Sequence, residues 1–112
     1  MQTVIHVYCH PGRSLRDRIA KDGRRLEKFE LSVHSQLNPA RRDGWAKLKS
    51  ADDAHGAINM EWDRDALVLV CRVVTRGGDP APIIGRFTSY LVTHHFARIR
   101  AMTLVPRTGR GG

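Results

Sequence analysis

The sequence predicts an α+β fold: a mostly antiparallel sheet of about five or six strands with two helices, in the order β-α-β-β-β-β-α-β. Three observations predict it. Residues 57–62 alternate polar and apolar, then after Asp63-Arg64-Asp65 comes a run at 66–75 that is apolar on both faces except at Arg72. A β-branched and aromatic opening at 3–9 stops at Pro11-Gly12. A helical stripe then separates these strands from a last alternating segment at 98–105.

Taken in order, Thr3 to Cys9 reads as a first strand. Ile5, Val7 and Cys9 lie on one face and Val4, His6 and Tyr8 on the other, so the strand belongs inside a sheet. Leu15, Ile19 and Leu26 recur at helical spacing, and Ser14 with Asp17 makes a capping box with Asp in place of Glu, predicting a helix over 14–25. Gly23 weakens its end. Residues 28–34 fit two readings, an alternating strand or a continuation of the helix through Phe29 and Val33, and the strand is preferred. Asn38 to Gly44 and Ala51 to Gly56 are loops, with Trp45 to Ser50 alternating between them. The close-set segments 57–62 and 66–75 form an antiparallel pair, the second central in the sheet.

Asp79 caps the second helix with Pro80 at its first position. Ile83, Ile84, Phe87, Tyr90, Leu91 and His94 form its apolar stripe, while Arg86, Ser89 and Thr93 face outward. Pro106 closes the final strand. Residues 1–105 thus read as one compact domain and 106–112 as a mobile tail. If helices cover one sheet face only, the other needs a partner, and a homodimer packed sheet to sheet supplies one.

Charge dominates the composition. Lys and Arg number 19 against 11 Asp and Glu, for a net charge of +8. Such a surface draws polyanions at long range. The candidate nucleic-acid contacts are Arg13, Arg16, Arg18, Lys21, Arg24 and Arg25 around the first helix, with Arg41, Arg42, Lys47 and Lys49 after it. Arginine offers a planar fork of donors that matches a phosphate. Against this, Asp17, Asp22 and Glu27 stand at helical spacing to pair with Lys21, Arg25 and Arg24. No helix-turn-helix, zinc-finger or RNA-recognition pattern is present, so contacts fall on backbone rather than bases.

Other chemistry is sparse. His6 and His10 on a strand would lie about 13 Å apart, too far for one metal, and His94-His95 point apart on a helix. The glycines of Gly77-Gly78-Asp79-Pro80 match no phosphate-loop spacing, and Asp79 would repel an anion, so the segment reads as a turn and cap. Cys9 and Cys71 read as buried thiols rather than a disulfide. Trp45 and Trp62 read as core or rim packing. No catalytic residue, cofactor or metal is implied. In size and charge the chain resembles ribosome-dependent toxin nucleases, in composition alone, since those place two helices before a continuous strand meander.

The reading is therefore a non-enzymatic basic module. Its partner is nucleic-acid backbone, DNA or RNA, or an acidic protein surface. Self-association through an exposed sheet face is the alternative and a metal-free ribonuclease the third. No apolar run is long enough for a membrane span, and Met1-Gln2-Thr3 carries no positive signal region, which predicts a cytoplasmic protein.

Overall fold

A computed structural model describes residues 2–35, 44–50 and 56–107. The strands are β1 (Gln2–Cys9), β2 (Leu31–Ser35), β3 (Trp45–Ser50), β4 (Gly56–Asp63), β5 (Val68–Thr75) and β6 (Ile99–Arg107). The helices are α1 (Leu15–Ala20), α2 (Gly23–Glu27) and α3 (Ala81–His95), followed by a 3₁₀ turn at Phe96–Arg98. The strands form one antiparallel sheet in the order β2-β3-β4-β5-β1-β6. The mixed α+β class is as expected, but three helices replace the two.

The extra helix comes from a break at Lys21-Asp22. Ser14 caps α1 as expected, its hydroxyl accepting from the Asp17 N–H at 3.2 Å. The Asp22 N–H then bonds Ile19 O at 3.0 Å, a tighter turn, and Asp22 leaves the helical region at φ −107, ψ 36. Gly23 therefore opens α2 rather than weakening the end of a longer helix. The break lets Ile19 and Leu26 both reach the core fully buried. It also turns the Asp22 carboxylate towards α3.

Residues 28–30 form a turn in which Glu30 takes φ +58, and the strand reading of the ambiguous stretch holds from Leu31 onward. Phe29 packs edge-on to Tyr90, with ring centroids 5.9 Å apart. Alternation along the central strands places Ile5, Val7, Ile58, Met60, Leu69, Cys71 and Val73 beneath the helices in a single buried cluster. Cys9 and Cys71 are buried free thiols. Burial pushes both up from the ordinary thiol range, with Arg98 opposing the effect at Cys9.

Helix α3 begins at Ala81 with Pro80, not Asp79, as its N-cap, because the Pro80 carbonyl accepts the first helical bond, from Ile84 N–H at 3.1 Å. The Asp79 carboxylate, one residue earlier, accepts from Ala81 N–H at 3.0 Å. Ile83, Phe87, Tyr90, Leu91 and His95 are the buried residues, so His95 and not His94 completes the stripe. The row from Phe87 through Leu91 reaches His95 at four-residue steps, and His94 stands beside it against Phe29. Arg86, expected to face outward, is half-buried. It bonds Glu30 at 2.8 Å and the Ser50 hydroxyl at 2.9 Å, tying α3 to the α2–β2 turn.

Strand β6 departs from plain alternation. Tyr8 pairs with Ala101 but Cys9 with Ile99, so a bulge at Arg100 puts Ile99 and Met102 on the same core-facing side. Pro106 does not end the strand. It pairs with Thr3 on the sheet's edge, where a missing outward donor costs nothing.

The helices cover one sheet face. By register the other carries Val4, His6, Tyr8, Val70, Arg72, Lys47 and Lys49. No helix among the described residues is long and apolar enough to cross a membrane.

Candidate functional site

The expected cations divide between two faces. Lys47 and Lys49 lie on the sheet face away from the helices, because Ala46 and Leu48, which alternate with them, are buried beneath the helices. Arg16 turns inward. Its side chain is 11% exposed, pairs with Asp17 at 2.7 Å, and donates to the Trp45 carbonyl at 2.7 and 3.1 Å, fastening α1 to β3. Arg41 and Arg42 lie outside the described residues. Arg13, Arg18, Lys21, Arg24 and Arg25 are all exposed, in or next to α1 and α2.

Four of these five line one cleft. Arg13, Arg18, Lys21 and Arg25 surround a cavity of about 710 Å³, together with Ser14, Asp17, Asp22 and His95. The loop carrying Arg13 is held by Arg98, whose guanidinium donates to the Arg13 carbonyl at 2.8 Å. Gly12 allows this approach, since a Cβ there would stand 2.8 Å from the Arg98 Cζ.

Beneath the cations lies a polar network that joins the α1–α2 break to the end of α3. The Tyr90 hydroxyl donates to Asp22 Oδ2 at 2.7 Å and stands 2.8 Å from His95 Nε2. The hydroxyl has one proton and a carboxylate has none to give, so His95 Nε2–H must donate to the Tyr90 oxygen. That assigns the neutral imidazole the Nε2–H tautomer and leaves Nδ1 as an acceptor. Asp22 Oδ1 also faces Arg25 Nε at 3.7 Å.

The network is costly to break because its members are largely out of water. Burial first, and then the bond to Asp22, pushes the Tyr90 phenol up, keeping it a donor. Tyr90→Phe leaves Asp22 and His95 without their shared partner. It is expected to destabilise the fold by about 1–3 kcal/mol in urea unfolding, and a smaller loss would show that the hydroxyl is not needed to hold the two helices.

Burial lowers the His95 imidazole, outweighing the pull of Asp22, and Arg18, His94 and Arg25 act in the same direction as burial. The unfolded chain therefore takes up this proton more readily than the folded one. Stability contributed here is complete above the ordinary imidazole value, about 6.5, and declines as pH falls through it. Thermal melts from about pH 8 to about pH 5.5 should show a steeper decline for the natural chain than for His95→Gln, which keeps an N–H donor but cannot titrate. Parallel slopes would place the proton uptake elsewhere.

Sequence reasoning missed Asp22, Tyr90 and His95 as a group. Asp22 read as a helix surface acid, and Tyr90 and His95 are five apart on α3, a spacing that marks no common face. Among the described residues no three His, Cys, Asp or Glu side chains converge to hold a metal. What the site offers is concave positive charge over a rigid, hydrogen-bonded floor. No protein-family model, curated protein or solved structure matches the chain, so its function must be argued from this cleft and the surface around it.

Proposed function

We propose that the protein binds the sugar-phosphate backbone of nucleic acid through the α1–α2 surface, with Arg13, Arg18, Lys21, Arg24 and Arg25 as the contacting cations. One observation carries this reading. Among the described residues no carboxylate lies within ion-pair distance of Arg13, Arg18, Lys21 or Arg24, and Arg25 has only the 3.7 Å contact to Asp22. Unpaired exposed cations clustered on one surface release counterions from a polyanion on contact. Backbone contacts of this kind carry little sequence information.

Fluorescence anisotropy with labelled duplex DNA and RNA is expected to show binding at low salt that weakens steeply as salt rises, with RNA recovered intact. Absence of binding at about 20 mM salt would falsify the reading. Displacement of the duplex by an acidic polypeptide at equal charge concentration would reassign the patch to an acidic protein surface.

A second reading, self-association through the sheet face away from the helices, is favoured by the exposure of Tyr8 at 38% and Val105 at 43% on that face, with Val70 half-buried beside them. Light scattering decides it: a dimer mass supports the reading, and a monomer at high protein concentration removes it.

A further inference from the structure

We propose that the cleft between the α1–α2 turn and the end of α3 is a site for a phosphate monoester, the terminal phosphate of a nucleic-acid strand; this rests on, and sharpens, the backbone-binding reading. Shape favours a strand end. Within the basic surface that a backbone can lie across, a concave cavity of about 710 Å³ has room for a strand end. An internal phosphodiester must lead chain away on both sides, but a terminal phosphate enters with its sugar behind it.

Charge gives the second argument. Four cations line the cleft against two carboxylates, Asp17 and Asp22, so the lining carries two net positive charges with His95 neutral. Both carboxylates already face a cation, Asp17 meeting Arg16 at 2.7 Å and Asp22 meeting Arg25 at 3.7 Å. The uncompensated charge therefore resides on Arg13, Arg18 and Lys21. A phosphate monoester carries about −1.5 to −2 at neutral pH, against a single charge on a phosphodiester, and matches that excess.

Preorganisation is the third. The cations come from three segments: Arg13 from the loop before α1, Arg18 and Lys21 from the last turn and C-cap of α1, and Arg25 from α2. They surround one space because the chain breaks at Asp22. The Asp22–Tyr90–His95 bonds fix that break before any ligand arrives. Little conformational freedom in the floor is then lost on binding.

The test compares oligonucleotides of one sequence ending in 5′-phosphate, 3′-phosphate or hydroxyl only, by anisotropy, with calorimetry of adenosine 5′-monophosphate, adenosine and inorganic phosphate alongside. A phosphorylated end is expected to bind about tenfold more tightly than the hydroxyl-ended strand. Arg18→Gln and Lys21→Gln, both exposed and so free of folding effects, should abolish that preference. NMR should show His95 and Tyr90 resonances shifting on addition of the monophosphate but not of adenosine. Equal affinity for all ends overturns the monoester site and leaves the backbone reading standing. Binding of the mononucleotide without any oligonucleotide binding upholds the site for a free phosphate monoester and overturns the backbone reading. Binding of neither overturns both, and a preference that survives Arg18→Gln and Lys21→Gln overturns the assignment to this cleft.

Discussion

Replacing Arg13, Arg18, Lys21 and Arg25 together with glutamine is expected to weaken duplex binding by about a hundredfold or more at about 50 mM salt. The slope of log affinity against log salt should fall by as much as about 3 to 4, since each lost phosphate contact removes about 0.9. Arg13, Arg18 and Lys21 have no carboxylate partner among the described residues, and all four side chains belong to exposed residues. The variant should therefore fold normally and melt no lower than the natural chain. Lys47→Gln with Lys49→Gln is the matched control, because these two cations sit on the opposite sheet face. One duplex cannot engage both faces through the body of the domain, so the control should lose far less. Equal losses from the two variants would show that attraction is spread over the whole surface and that no interface exists.

The largest expected effect on stability is at Phe87. Its ring is fully buried on the side of α3 that faces the sheet, within the cluster formed by the central strands. Phe87→Ala removes that ring and leaves a cavity the surrounding strands cannot close, at a cost of about 3–5 kcal/mol. A domain of this size has only about 5–15 kcal/mol in total, so the variant should be marginal at room temperature. Phe96, on the 3₁₀ turn that follows α3, is 69% exposed, and Phe96→Ala should change stability by no more than about 0.5 kcal/mol. Urea unfolding of the pair measures both. If the two substitutions cost the same, α3 is not packed against the sheet as described.

Phe87 and Phe96 also show where sequence reading reaches its limit. Residue type does not separate them, and only the period set by Ile83, Tyr90 and Leu91 puts Phe87 inside. Period was enough for the strands too. Alternation at 57–62 and the two-faced run after it correspond to β4 and β5, and β5 does lie inside the sheet. The capping role of Ser14 was equally legible, since a cap is a local bond between residues two or three apart, whereas the cap of α3 falls one residue later than expected, at Pro80.

The failures share a cause. The bulge at Arg100, the turn at Glu30 and the break at Lys21-Asp22 depend on what lies across the sheet or above it, which local pattern does not encode. The same holds for Lys47 and Lys49. Alternation separated them from Ala46 and Leu48, but only the sheet's topology decided that this face lies opposite α1.

For function, the amino-acid sequence by itself determined the positive charge, the helical spacing of its arginines and the absence of familiar catalytic spacing. Charge and spacing are properties of composition and of neighbours along the chain. Tertiary structure alone decided that Arg16 anchors β3 instead of facing solvent, and that four other cations share one cleft. It alone joined Asp22, Tyr90 and His95, which are 68 residues apart at the Asp22–Tyr90 bond. Only folding brings such distant residues within hydrogen-bonding range, because the contact is made by helix packing and not by chain proximity.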